Sequence, residues 1–164
     1  MLTVRQLHTG KLFAMKIMLK ELIKKRGKVS QVFLERDLLL HVPQHPFIVR
    51  IEDAFQTEHY LHLVLEFCPG GELFYHLTAE RRFEEESARI IIAEIILALE
   101  HLHSHKIIYR DLKPENILVD IDGHIKLTDF GLCRKNFGAQ DLSESLCGSP
   151  EYICPEMLET GVHS

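Results

Sequence analysis

What this 164-residue sequence has little of narrows its class before any motif is read. Cysteine is scarce, and Cys68, Cys133, Cys147 and Cys154 form no C-x-x-C pair and carry no secretory framing. That excludes a zinc ribbon or a disulfide framework and favours a reducing compartment, the cytoplasm or nucleus. Long apolar runs are also missing. The most hydrophobic stretch, residues 90–99, is interrupted by Glu94 and is too short to cross a bilayer, and no signal peptide opens the chain. Positive charge is not in excess either. A formal net charge of -5 sets up no field that would gather nucleic acid or an anionic membrane, so neither is expected as a partner. There is no internal repeat and no low-complexity tract. What remains, 46% hydrophobic and 26% charged residues, is the composition of a soluble globular domain able to bury a core.

Turn signals and periodicity divide the chain. Residues 1–20 read as short strands around a turn at Thr9-Gly10, the second strand carrying Leu12, Phe13, Ala14, Met15, Lys16 and Ile17. The basic run Lys24-Lys25-Arg26 reads as a solvated loop. Over residues 29–41 the positions Val32, Phe33, Leu38 and Leu39 recur at helical spacing, with Ser30 as the expected cap and Glu35 on the helix. After His45-Pro46, residues 47–55 and 60–67 read as two strands leading to a turn at Pro69-Gly70-Gly71. Beyond it the pattern becomes helical, with a short helix over 72–77 and a long one over 84–103. The polar stretch 135–145 reads as an exposed loop.

Residues 107–131, IIYRDLKPENILVDIDGHIKLTDFG, hold an acid, a cation, an amide and a second acid in the order that phosphoryl transfer to a hydroxyl requires. Asp111 can orient the attacking hydroxyl or accept its proton. Lys113 can neutralise charge on the moving phosphoryl. Asn116 and Asp129 are hard oxygen ligands suited to Mg²⁺. An ordinary loop salt bridge between Asp111 and Lys113 accounts for two of the four but not for Asn116 and Asp129. Lys16 and Glu35 are weak signals alone, since a strand lysine is usually a solvated edge charge and a helix glutamate a surface residue. Together with the downstream motif they read as an ATP anchor and its partner. Three histidines, His101, His103 and His105, fall at the end of an apolar helix with i, i+2 spacing that does not converge on one face, so they read as structural.

Asp-x-Lys-x-x-Asn followed by Asp-Phe-Gly, with FAMK and FLERDLL upstream, resembles a protein kinase over essentially the whole chain. YRDLKPEN, KLTDFGLCRK, LEFCPGGELFYHL and SLCGSPEYICPE are similar to the AGC group of serine/threonine kinases, in particular its protein kinase B and ribosomal-protein kinase branches. The resemblance implies an α+β, bilobal fold, with residues 1–67 a partial strand-rich lobe and 68–164 a partial helical lobe. It implies ATP and Mg²⁺ as cofactors and serine or threonine hydroxyls of proteins as acceptors, in intracellular signalling. It also assigns positions. The backbone of Glu66 and Cys68 would receive adenine, Ala14 and Leu118 would pack on its faces, Glu72 would reach the ribose, and Leu65 would be the gatekeeper. Glu115 joins the ATP-site set, and with Glu72 it would face basic residues preceding the target. Leu39, Ile51, Tyr109 and Phe130 would stack as the spine between the lobes. Ser145 corresponds to a site for an activating upstream kinase, with Arg110 able to pair with its phosphate, and Ser149 to a contact of Asp111. Cys133 and Cys147 could form a redox switch or stand as inert small hydrophobes.

Two departures matter. No G-x-G-x-x-G occurs, and Met1 aligns just after the place where that loop belongs. The sequence stops at Ser164, soon after Cys-Pro-Glu, leaving Glu156 without its usual arginine. The expectation is a truncated kinase with little activity of its own. A non-catalytic kinase-like scaffold stays open as a reading from another class, and so does a fragment with no independent function. Partner binding insensitive to Asp111→Ala and Asp129→Ala would favour the scaffold.

Overall fold

The computed structural model describes residues 1–135, 149–153 and 155. Ser145, Cys147, Cys154, Glu156 and most of the expected 135–145 loop lie outside the described residues.

The first 66 residues build a four-stranded antiparallel sheet. Strands β1 (Leu2–Arg5), β2 (Leu12–Leu19), β3 (Ile51–Gln56) and β4 (Tyr60–Glu66) lie in the order β1-β2-β4-β3. The β1–β2 turn closes where expected, with Gly10 at φ 73° and its N–H donating to Gln6 O at 2.8 Å, a conformation a β-carbon would strain. Pairing places Lys16 opposite Leu63 and Ala14 opposite Leu65. Alternation turns Ala14 and Met18 toward the core, with Lys16 on their face, while on the opposite face Phe13 is buried and Ile17 and Leu19 are open to solvent. The strand is thus half exposed.

Helix α1 (Lys20–Lys25) takes in Lys24 and Lys25 of the basic run expected to be a loop, with Arg26 at its C-terminal cap. Charge misled the reading there. KELIKK consists of helix formers, and Glu21 in the first turn with Lys24 and Lys25 in the last complements the helix dipole. Helix α2 (Val29–His41) forms over the expected residues, but Ser30 is inside the helix and Lys28 is the cap, without a side-chain bond. Val42 is extended and ends it, as the residue before Pro43 must tend to do. Phe33, expected on the buried face, is exposed beneath Arg36, whose guanidinium carbon lies 4.8 Å from the ring centroid. The strand expected from residue 47 begins only at Ile51, because Phe47 and Val49 spend their backbone groups on Leu127: Leu127 N–H donates to Phe47 O and Val49 N–H to Leu127 O, each at 2.9 Å.

The chain then passes Cys68-Pro69-Gly70 into the short strand β5 (Gly71–Glu72) and helix α3 (Leu73–Glu80), one residue later than expected. Gly70 is required by packing. A β-carbon there would sit 2.7 Å from Val119 Cβ and 2.8 Å from Val119 O, the carbonyl that Gly70 N–H bonds at 3.0 Å. The long helix α4 (Glu85–Ser104) buries Glu94, Ala98 and Leu102. Strands β6 (Ile107–Ile108), β7 (Ile117–Val119), β8 (Ile125–Leu127) and β9 (Arg134–Lys135) complete the fold as a β5-β7-β8 sheet and a β6-β9 pair. One buried cluster joins both parts, from Leu38, Leu63 and Leu65 through Ala98 and Leu102 to Tyr109, Leu127 and Phe130. No described helix is long and apolar enough to cross a membrane.

Candidate active site

Lys16 and Glu35 meet between β2 and α2. The Lys16 ammonium lies 2.7 and 2.9 Å from the two oxygens of Glu35 and 3.4 Å from Asp129 Oδ1. Glu35 is almost fully buried, with 4% of its side chain exposed, so its charge needs that partner. Burial works against the Lys16 ammonium, but Glu35 and Asp129 together hold its pKa above the ordinary lysine value. Burial pushes the Glu35 carboxyl up, with Lys16 opposing. The lysine therefore stays a cation, facing a carboxylate that remains half exposed: 51% of the Asp129 side chain is open to solvent.

The second group of side chains is built on irregular backbone. Arg110 and Asp129 both adopt left-handed conformations, φ 67° and 58°, which residues with a β-carbon rarely take. Hydrogen bonds hold them. The Tyr109 hydroxyl donates to Thr128 O, Thr128 N–H to Asn116 O at 3.0 Å, and Arg110 Nε to Leu132 O at 2.8 Å. Asn116 closes the loop by donating from Nδ2 to both the backbone O (2.9 Å) and Oδ2 (2.7 Å) of Asp111. Lys113 Nζ lies 3.1 Å from Asp111 Oδ2 and donates to Ser149 Oγ at 2.8 Å, and Ser149 Oγ donates to Asp111 Oδ1 at 3.2 Å. Asp111 is thus a buried carboxylate with an amide, an ammonium and a hydroxyl directed at it.

The two groups face one cleft of about 520 Å³, lined by Lys16, Glu35, Leu65, Gly70, Gly71, Glu72, Glu115, Asn116, Leu118 and Asp129 among others. A smaller recess of about 150 Å³ adds Ala14, Glu66 and Cys68, with Leu65 and Leu118 lining both. All eight positions expected to hold ATP and both expected metal ligands therefore line one or the other of these two cavities. Asp111 and Lys113 are not on the walls and reach the cleft through Asn116. Glu115 Oε2 is buried there with no hydrogen-bond partner among the described residues. Thr128, Tyr75 and Met1 also line the cleft and were not singled out by sequence. Only the place of Thr128, directly before Asp129, could have signalled it. A further residue went unread: Lys126 pairs with Glu66 at 3.1 Å, while Glu66 Oε2 accepts Arg50 N–H at 3.2 Å, so the side chain of Glu66 is tied back from the recess.

Behind the cleft, Ile51, Tyr109 and Phe130 are buried in the common core with Leu39 packed against it, the two rings meeting edge to face at 5.5 Å. Burial pushes the Tyr109 phenol and the Cys133 thiol well up and the Cys68 thiol to about 11. Such thiols are held protonated and poorly reactive, which favours the inert reading of Cys133. No group of three or more metal-type ligands occurs among the described residues, the three histidines included. His101 Nε2 instead contacts Pro43 O at 2.8 Å, and its ring stacks on His45 with centroids 4.8 Å apart.

Comparison with known proteins gives the family. The family model described as protein kinase domain matches residues 1–164. Serine/threonine-protein kinase Sgk3 of Rattus norvegicus is 48% identical over 149 residues, 91% of this chain and 30% of that protein. Serine/threonine-protein kinase Sgk2 of Homo sapiens is 48% identical over 149 residues, 91% of this chain and 41% of that protein. The RAC-beta serine/threonine-protein kinase of Homo sapiens is 47% identical over 156 residues, 95% of this chain and 32% of that protein. The chain thus spans between 30% and 41% of the length of these three relatives. It belongs to the protein kinase family, and the three relatives named here are serine/threonine-protein kinases.

Proposed function

We propose, from membership of the protein kinase family, that this chain carries the catalytic centre for ATP- and Mg²⁺-dependent phosphorylation of serine or threonine in protein substrates, in intracellular signalling. The observation that carries this reading is the convergence of Lys16, Asn116 and Asp129 on one cleft, with Asp111 fixed behind Asn116. The residues fit the cofactors. Asn116 and Asp129 offer hard oxygens, Lys16 offers a cation for phosphate oxygens, and Glu115 Oε2 has no donor among the described residues. Bound Mg²⁺ and ATP would supply the phosphoryl group and neutralise its developing charge.

The protein's own side chains divide the remaining work. Lys16 positions phosphate oxygens, and Glu35 keeps its ammonium aimed into the cleft. Asp111 orients the acceptor hydroxyl and can take its proton, its carboxylate held in place by Asn116 and Ser149. Lys113, within reach of Asp111, balances charge at the transferred group. Glu72 and Glu115 on the cleft wall would favour substrates with arginine ahead of the target, since a carboxylate binds guanidinium in a bidentate fork. Ser145 would be phosphorylated by an upstream kinase and pair with Arg110.

The test is phosphate transfer from ATP to a serine peptide with arginines ahead of the target, as a function of Mg²⁺. Transfer should fall about a hundredfold or more in Asp111→Asn, the size of a lost general base. Mg²⁺-independent nucleotide binding, or partner binding untouched by Asp111→Asn and Asp129→Asn, would replace this reading with that of a scaffold.

A further inference from the structure

Glu94 is the one acid inside the apolar run of α4, and it is buried at 6% exposure. Both of its oxygens are used on the same target, the start of β8. Oε2 accepts the backbone N–H of Ile125 at 2.9 Å and Oε1 lies 2.6 Å from His124 Nδ1. A buried carboxylate is costly unless its hydrogen bonds are made, so this pair fixes where β8 begins. Beyond that point the strand has little freedom. Ile125 and Leu127 pair with Val119 and Ile117, and Leu127 exchanges backbone bonds with Phe47 and Val49. The next two residues are Thr128, whose carbonyl the Tyr109 hydroxyl holds, and Asp129.

We propose that Glu94 is a positioning residue for Asp129: clamped to His124 and Ile125, it sets the register of β8 and through it the placement of the carboxylate that would hold Mg²⁺. This rests on the functional reading given above and adds to it a residue outside the cleft. The clamp has a titratable half. His124 is faced by Glu94 from α4, by Asp120 and Asp122 from its own turn, where its N–H donates to Asp120 Oδ1 at 2.9 Å, and by the Phe47 ring at 6.1 Å. The hydrogen bond and charge of Glu94, followed by Asp120 and Asp122, hold its pKa above the ordinary histidine value. A raised folded pKa means that the ion pair contributes fully below the unfolded value of about 6.5 and is lost as pH rises through the folded value. A neutral imidazole can still donate from Nδ1, so the clamp weakens on deprotonation and does not open.

The experiment follows the backbone amide of Asp129 by ¹⁵N NMR on the 164-residue chain, from about pH 6 to about pH 9, alongside the His124 ring and the affinity for ATP with Mg²⁺. The Asp129 amide should inflect with the His124 midpoint, and affinity should fall roughly threefold across it, the size an ion pair with one exposed partner can transmit. Glu94→Gln keeps an acceptor for Ile125 but removes the charge. It should return the His124 midpoint toward its ordinary value and carry the Asp129 inflection with it. Should that variant not fold, His124→Asn at a surface position gives the same answer by abolishing the inflection. An Asp129 amide indifferent to His124, or an inflection that survives His124→Asn, overturns the proposal. Absence of nucleotide binding at every pH would instead remove the functional reading, with the amide titration still deciding the role of Glu94.

Discussion

The two halves of the cleft hold their functional groups by different means. Lys16 and Glu35 project from a regular strand and a regular helix, and a single charge pair between them suffices. Asp111, Asn116 and Asp129 lie in or beside loop backbone, with left-handed residues at 110 and 129, and nearly every group is tied by its own hydrogen bond. Periodicity fixes the direction of a side chain on a strand or helix without further help. An irregular loop has no such guide, so each position must be fastened separately. Failure should therefore differ as well: an uncompensated buried charge on one side, a loosened backbone on the other.

The largest effect is expected on the regular side. Lys16→Met strands the buried Glu35 carboxylate and should lower stability by about 3 kcal/mol in urea denaturation, most of it recovered by adding Glu35→Gln. Stability unchanged in the single variant would mean that Glu35 finds another partner. On the loop side, Asn116→Ala removes the two bonds from Asn116 Nδ2 to Asp111, leaving the carboxylate to Lys113 and Ser149 but taking the amide from the Asp111 carbonyl, and should cost about 2 kcal/mol, the penalty of a buried acceptor that loses its donor. If exchange of amides 110–117 were no faster in that variant, the loop would be held by something other than its hydrogen bonds.

Where the halves join, Gly70→Ala must push against the Val119 backbone. Overpacking of this kind should cost about 1–3 kcal/mol and displace β5 from β7, visible as chemical-shift changes at Val119. The smallest change sharpens the contrast most. Asp129→Gly relieves a left-handed backbone and should leave stability within about 1 kcal/mol of wild type, or slightly above it, while Mg²⁺-dependent nucleotide binding disappears. A marked destabilisation would show that the Asp129 side chain has a structural task beyond its contact with Lys16.

The contrast also separates what could be read in the sequence from what could not. Asp111, Lys113, Asn116 and Asp129 were legible because their chemistry dictates residue types at short spacing, and the strands around Lys16 because alternation is local. The left-handed conformations at Arg110 and Asp129 were invisible, since neither is glycine and only the surrounding bonds impose them. Lys24 and Lys25 were misread as loop because a run of basic residues signals solvent exposure whether or not the backbone is helical. Glu94 left a trace, an acid interrupting an apolar run, but its partners lie 30 and 31 residues away, and no local pattern names them.

If two differently built halves serve one bound nucleotide, their contributions to binding should not be independent. A double-mutant cycle with Lys16→Met and Asp129→Asn, read as the affinity for ATP at saturating Mg²⁺ by calorimetry, measures that directly. The account predicts coupling of about 1 kcal/mol or more between positions whose side chains already lie 3.4 Å apart. Strictly additive losses, or affinity that neither substitution changes, would contradict it.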